Sequence, residues 1–285
     1  MIHKVCVAGA GTMGSGIALC AAQHQYPVIL FDTNNDVLQK AANSIGKNVE
    51  LLVQKNKITV AEKDEINSLI SFTTNIEDCQ APLLIEAIVE KIEIKIELFE
   101  KLMAINSADA IFASNTSSLS INALQQALTN ADRLAGLHFF NPAQLMKLVE
   151  VVKGEQTADW VTNVLVDFCN QLKKTPVICS DAPGFIVNRV ARHYYLEAMK
   201  LVEMNIATFE NVDQIMEATG FKMGPFKLMD LIGMDINLAV SQSLYEAFNK
   251  EKRFQPSSIQ INKVALGDLG RKTGKGFYEY SKNQP

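Results

Sequence analysis

The stretch VCVAGAGTMG, residues 5–14, decides the fold of this 285-residue chain. It joins a short apolar run, Val5–Ala8, to the glycine pattern GAGTMG that begins at Gly9. A helix-like stretch over residues 15–23 follows, and a second apolar run, Val28–Phe31, stops at Asp32. The order of strand, glycine turn, helix and strand within about 30 residues predicts a βαβ unit.

The pattern GxGxxG in this setting is typical of dinucleotide binding. Its first glycine allows a tight turn, its second lets a pyrophosphate approach the backbone, and its third lets the helix pack on the strand. A purely structural glycine turn is the alternative. Asp32 at the end of the second strand is expected to bind the ribose hydroxyls and to repel a 2′-phosphate, which favours NAD over NADP. The predicted cofactor-binding residues of the turn are Gly9, Gly11, Thr12, Met13 and Gly14.

Apolar runs recur along the next part of the chain, and helical stretches separate the first three of them. These runs cover residues 83–88, 111–113, 134–140, 148–152 and 176–179. Such alternation favours an α/β fold with a mostly parallel sheet covered on both faces. After Cys179 the periodicity becomes helical. The sequence therefore predicts a Rossmann-like NAD-binding domain over residues 1–182 and an all-α domain over residues 183–285, joined at a linker around Asp181–Gly184.

Composition excludes several classes of function. Lys and Arg number 27 against 31 Asp and Glu, giving a formal net charge of −4, so the chain lacks the basic field that nucleic-acid binding needs. No run approaches the roughly 18 apolar residues of a membrane helix. The five cysteines avoid CxxC and CxH spacings, which favours reduced thiols over disulfides or a metal site. Since Gly9 leaves no room for a targeting segment, we expect a cytoplasmic protein, or a mature form that has lost a presequence.

Two further groups of residues are candidates for chemistry. His138 ends an apolar run, where a parallel sheet presents its ligand site, and Asn-Pro follows at once. Glu150 interrupts the apolar stretch 148–152, and a buried carboxylate there needs a partner. A His–Glu dyad is one interpretation; an unrelated buried Glu and a capping His is the other. Asn188 is expected in the first turn of a helix facing the sheet, and a plain helix-start role is its simpler interpretation.

Several motifs together resemble one family. GAGTMGSGI, SNTSSL, HFFNP, MKLVEV, PGFIVNR, MGPF and RKTGKGFYEY occur in the order found in the L-3-hydroxyacyl-CoA dehydrogenase family, with bacterial 3-hydroxybutyryl-CoA dehydrogenases most similar. The resemblance covers the whole chain. It implies NAD-dependent interconversion of (3S)-3-hydroxyacyl-CoA and 3-oxoacyl-CoA in fatty-acid or butyrate metabolism. The substrates it implies have short acyl chains, such as 3-hydroxybutyryl-CoA and acetoacetyl-CoA. It also implies a helical domain that contributes to the substrate cleft and forms a homodimer.

The resemblance implies roles for individual residues. His138 is the catalytic base and Glu150 orients it, while Ser117 and Asn188 hydrogen-bond the substrate oxygen and neighbouring groups. Lys55 matches a lysine that touches coenzyme A, although a solvated helix face is the simpler interpretation of this lysine. One position departs from some relatives, because Asn48 stands where they have a serine that contacts coenzyme A. The residues that match NAD contacts are Asp32, Glu90, Lys95, Ser117, Asn141 and Lys272.

Two other functions are weighed against this one. A sugar-acid or branched hydroxy-acid dehydrogenase has a similar two-domain build, and some of these enzymes use lysine as the base. The HFFNP run at residues 138–142 and the position of Glu150 argue against it. A non-catalytic NAD-binding protein is disfavoured because the set His138, Glu150, Ser117 and Asn188 is intact.

Overall fold

The computed structural model describes residues 2–280. Its chain divides into two compact units, with the boundary between Ala182 and Pro183. Within the described residues no helix is both long and apolar enough to cross a membrane.

The first unit alternates strands and helices along most of its length. Its strands are β1 (Val5–Ala8), β2 (Val28–Phe31), β3 (Ile70–Thr73), β4 (Leu83–Glu86), β5 (Ile111–Ser114), β6 (Leu134–Phe139), β7 (Leu148–Lys153) and β8 (Thr175–Ser180). Its helices are α1 (Thr12–Ala22), α2 (Asn35–Gln54), α3 (Val60–Ser68), α4 (Ile92–Ile105), α5 (Ile121–Ala127) and α6 (Asp159–Gln171).

The eight strands form one sheet in the order β3-β2-β1-β4-β5-β6-β7-β8. All neighbouring pairs are parallel except β6 and β7, which are antiparallel. The prediction of a Rossmann-like, mostly parallel sheet is therefore confirmed. Since β1 lies between β2 and β4, the strand order reverses there, and the carboxyl ends at such a switch point are where these folds bind ligands.

Strand β3 is the element that the apolar runs did not predict. Of its four residues only Ile70 is buried, and Phe72 is 40% exposed. The strand lies at the edge of the sheet beside β2. An edge strand of this kind buries too little side-chain surface to produce an apolar run, so the sequence shows no strand signal there.

The second unit is helical, as predicted. Its helices are α7 (Val187–Glu203), α8 (Phe209–Ala218), α9 (Pro225–Ile232), α10 (Met234–Ala247) and α11 (Ser258–Ala265). Met199, Phe226 and Met229 are fully buried in its core. The carboxylate of Asp230 accepts hydrogen bonds from the backbone N–H groups of Phe277 and Tyr278, which ties the last described segment to α9.

Candidate active site

The glycine turn is shaped for close backbone approach. Gly9 has φ +105°, a conformation that side chains other than glycine rarely adopt. A Cβ on Gly14 would lie 1.7 Å from the Gly9 carbonyl oxygen, so only glycine lets α1 pack against the turn here. At Gly11, by contrast, a Cβ would meet nothing within 4 Å. Its side-chain position is open space at the start of α1, where a helix offers free N–H groups to a phosphate.

Asp32 lies directly beside this turn. Its Oδ2 accepts a hydrogen bond of 2.9 Å from the Ala10 N–H, and its Oδ1 accepts one of 3.0 Å from Asn34. A carboxylate has about four lone-pair positions, so two remain for the hydroxyls of a ribose. The turn, the helix start and this carboxylate together fit the adenosine and pyrophosphate of NAD. The other two residues of the predicted turn, Thr12 and Met13, form the first turn of α1.

A cavity of about 380 Å³ opens beside the turn. It brings Asn141 close to the start of α1, and it includes Asn48, the position that departs from the family pattern. Lys55 lies outside this lining, exposed at the C-terminal end of α2. The polar lining residues come from α1, α2 and the segment after β6: Thr12, Ser15, Lys40, Ser44, Asn48, Asn141 and Gln144.

His138 and Glu150 are brought together by strand register. They are direct partners in the antiparallel pair β6 and β7, and residues opposite each other there share one face of the sheet. His138 Nδ1 lies 2.7 Å from Glu150 Oε2, and both side chains are buried. The ring of Phe140 contacts the imidazole, with a centroid distance of 4.5 Å. The Phe139 N–H donates to Asn115 Oδ1, which fixes the end of β6.

Glu90 and Ser117, which follow β4 and β5, form a second group with Lys95 of α4. Lys95 Nζ lies 3.1 Å from Glu90 Oε2. The other carboxylate oxygen of Glu90 accepts hydrogen bonds from the Ser117 N–H and from the hydroxyls of Thr116 and Ser118. Desolvation raises the pKa of Glu90, but the charge of Lys95 and these hydrogen bonds outweigh it, so the pKa lies below its ordinary value. Three of the predicted NAD contacts thus lie in one network.

Glu86 is a member of this network that the sequence reasoning did not single out. It is the last residue of β4 and is fully buried. Its carboxylate accepts hydrogen bonds from Lys95 Nζ at 2.5 Å and from Ser114 Oγ at 2.6 Å. A charged residue inside the apolar run 83–88 was the available signal, of the same kind that indicated Glu150.

The second unit holds the other two predicted residues. Asn188 is the second residue of α7 and is half-buried. Lys272 is exposed, and its Nζ lies 2.5 and 2.7 Å from the two carboxylate oxygens of Asp235. Asp235 was not predicted from the sequence, because nothing local relates it to a lysine so distant along the chain.

Comparison with known proteins identifies the family. Residues 4–182 match the family model "3-hydroxyacyl-CoA dehydrogenase, NAD binding domain", and residues 184–280 match "3-hydroxyacyl-CoA dehydrogenase, C-terminal domain". The chain is 42% identical to the mitochondrial hydroxyacyl-coenzyme A dehydrogenase of Rattus norvegicus, covering 98% of this chain and 92% of that protein. It is also 42% identical to the 3-hydroxyadipyl-CoA dehydrogenase of Escherichia coli, over 98% of this chain but only 59% of the longer relative.

A solved structure agrees with these matches. The (S)-3-hydroxybutyryl-CoA dehydrogenase of Ralstonia eutropha superposes with a TM-score of 0.94 at 36% identity, covering 99% of this chain and 100% of the other. The relatives thus match both units in sequence and in fold. The chain belongs to the 3-hydroxyacyl-CoA dehydrogenase family, whose NAD-binding domain it carries, and it is an NAD-dependent oxidoreductase of that family.

Proposed function

We propose that this enzyme interconverts short-chain (3S)-3-hydroxyacyl-CoA and 3-oxoacyl-CoA, such as 3-hydroxybutyryl-CoA and acetoacetyl-CoA, with His138 as the base. The observation that carries this proposal is the buried 2.7 Å contact between His138 Nδ1 and Glu150 Oε2. An ionised carboxylate only accepts hydrogen bonds, so His138 Nδ1 carries the ring proton. The lone pair of the neutral imidazole therefore lies on Nε2.

Oxidation of a secondary alcohol removes a hydride from carbon and a proton from oxygen. Bound NAD supplies the hydride acceptor. His138 Nε2 takes the hydroxyl proton as the hydride leaves, because a bare alkoxide is too unstable to form first. Glu150 fixes the imidazole tautomer and stabilises the imidazolium that results. In the reverse direction the protonated His138 returns a proton to the 3-oxo oxygen.

We assign the remaining predicted residues in the same way. Ser117 and Asn188 hydrogen-bond the substrate oxygen, and Lys55 contacts coenzyme A. The cavity beside the glycine turn supports a nucleotide-bearing ligand, since it combines an open helix start with hydroxyl, amide and ammonium groups. We assign Asp32, Glu90, Lys95, Ser117, Asn141 and Lys272 to NAD.

A kinetic panel tests the reaction and the chain length together. Oxidation of NADH is followed by its absorbance with 3-oxoacyl-CoA esters of increasing length and with one that ends in a carboxylate, because relatives are named for hydroxybutyryl and for hydroxyadipyl substrates. We expect the highest kcat/KM with acetoacetyl-CoA. A higher value for a long-chain or carboxylate-ended ester would contradict the short-chain proposal and leave the reaction type intact.

We place the enzyme in fatty-acid or butyrate metabolism.

We further propose that the enzyme is a homodimer that assembles through its second unit. Several large apolar side chains there are exposed, among them Val190 at 67%, Met204 at 59% and Phe221 at 49%. Exposed apolar surface of this kind is typical of protein interfaces. Sedimentation at micromolar concentration should give the mass of a dimer, and a monomer alone would refute the proposal.

We also propose a cytoplasmic location, because all five cysteines are free thiols and a reducing compartment keeps thiols in that state. Cell fractionation of the native host tests this location.

A further inference from the structure

Glu86 joins three segments around the carboxyl ends of the central strands. Its Oε1 accepts from the Ile88 N–H at 2.7 Å and from Lys95 Nζ at 2.5 Å, and its Oε2 accepts from Ser114 Oγ at 2.6 Å. These donors belong to the segment after β4, to α4 and to β5. The strand residues Ala8 and Ser114 flank Glu86 in the sheet register, so the carboxylate lies next to the switch point of the fold.

Lys95 is shared between two carboxylates. Its side chain is 1% exposed and contacts Glu86, which is fully buried, and Glu90, which is 37% exposed. Two acidic groups and one ammonium group form this cluster, so its formal charge is −1. The low pKa of Glu90, in which the charge of Lys95 outweighs desolvation, agrees with an ionised carboxylate at the exposed end.

Glu90 forms the exposed end of the cluster, and the proposed function assigns it and the buried Lys95 to NAD, whereas Glu86 lies behind them. A fully buried carboxylate is costly unless its partners are fixed, and Glu86 has three. Its charge acts over several ångströms in an environment of low dielectric constant, without contact with a ligand. The nicotinamide ring is cationic in NAD⁺ and neutral in NADH, so a negative cluster close to that ring attracts the oxidised form selectively.

We propose that Glu86 is a positioning residue that holds Lys95 between the two carboxylates and whose negative charge favours binding of NAD⁺ relative to NADH. This inference rests on the proposed function, specifically on the assignment of Glu90 and Lys95 to NAD.

The test measures dissociation constants, with no turnover involved. The Kd of NADH is measured by its fluorescence, and the Kd of NAD⁺ by competition, for the full chain and for Glu86→Gln. Glutamine keeps the size of the side chain and removes its charge. We expect the ratio of the NAD⁺ Kd to the NADH Kd to rise about tenfold, the order of magnitude for one elementary charge removed from a binding site. An unchanged ratio would overturn the proposal.

Ser114→Ala is the matched control, because it removes one hydrogen bond to Glu86 and no charge. We expect it to leave the ratio within about twofold of the wild type. A ratio that rose as much as in Glu86→Gln would show a structural effect and overturn the charge argument.

Glu86→Asp replaces Glu86→Gln in this test if the glutamine variant does not fold. Aspartate keeps the charge and withdraws the carboxylate from Lys95. The Kd of NAD⁺ and the Kd of NADH should therefore both rise, while their ratio stays unchanged. Unchanged Kd values, or a tenfold shift in their ratio, would refute the proposal.

Two variants separate this inference from the assignment on which it rests. If Glu90 and Lys95 contact NAD, as the proposed function assigns them, Glu90→Gln and Lys95→Met should each weaken NADH binding. If neither changes either Kd, the assignment of these residues to NAD fails. If both weaken binding while Glu86→Gln leaves the ratio unchanged, only the inference about Glu86 fails.

Discussion

Replacement of Glu150 by glutamine tests whether the buried pair acts as one unit. The change keeps the shape of the side chain and removes the charge that faces His138 Nδ1 at 2.7 Å. When the imidazole gains a proton, its charge centre lies about 4 Å from that of the carboxylate, and at an effective dielectric constant of about 20 the attraction is about 4 kcal/mol as an upper limit. Glu150→Gln should therefore lower kcat by up to about 10³-fold.

His138→Ala removes the base itself and should lower kcat by roughly 10² to 10⁴-fold. If Glu150 acts only through His138, the double variant should be barely slower than His138→Ala, because the second change removes an interaction that is already lost. The assay follows the rise in NADH absorbance during oxidation of (3S)-3-hydroxybutyryl-CoA, the direction in which His138 gains the proton, at saturating concentrations of NAD⁺ and of the acyl-CoA. Thermal unfolding of each variant checks that the fold persists.

Glu155→Gln is the control, since this residue is exposed and its side chain lies outside the pair. It should leave kcat within about twofold of the wild type. Losses that multiply in the double variant would refute the proposed coupling and would give Glu150 a separate role. A Glu150→Gln variant with normal kcat would show that the contact is structural.

Three further predictions address the cofactor, the substrate oxygen and stability. Asp32→Ser should reduce the preference for NADH over NADPH in kcat/KM, because the repulsion of a 2′-phosphate is removed; an unchanged preference would exclude Asp32 from this role. Asn188→Ala should lower kcat about 10²-fold and leave the NADH Kd nearly unchanged, whereas weaker NADH binding with normal kcat would place Asn188 in the cofactor site. Desolvation raises the pKa of Glu203, but hydrogen bonds from Ser257, Ser258 and the backbone outweigh it and lower the pKa below its ordinary 4.5. The stability it contributes is present above that value and is lost as the pH falls through the lower folded value, so the Tm of Glu203→Gln should fall less steeply in this acid range than that of the wild type.

The fold was largely predictable because its main signals are local. A buried parallel strand requires a continuous apolar run, and β1, β2, β4 and β5 are buried at every residue. The glycine turn adds backbone requirements that only glycine meets, since a Cβ on Gly14 would collide with the Gly9 carbonyl. Strand β3 lacked both signals, since it buries one residue at the edge of the sheet.

The cluster around Glu86 was harder to predict because helix α4 reverses the usual pattern at its start. Ile94 is 41% exposed, while the next residue, Lys95, is buried. Sequence periodicity assigns an isoleucine to the core and a lysine to the surface. Only the positions of two carboxylates from outside the helix make burial of the ammonium group favourable, and those positions are set by the packing of α4 against the sheet.

The pairing of His138 with Glu150 depends on strand register, which neither residue determines alone. Each strand alternates its side chains between the two faces of the sheet, so a shift of one residue between β6 and β7 would place Glu150 on the face opposite to His138. A carboxylate on that face would be buried without its contact to the imidazole. Burial of an unpaired carboxylate costs several kcal/mol. The observed register also pairs Gly136 with Val152, where a Cβ would lie 2.7 Å from the valine Cβ. Gly136 is therefore the residue that lets β7 approach closely enough, in this register, for the His138–Glu150 contact to form.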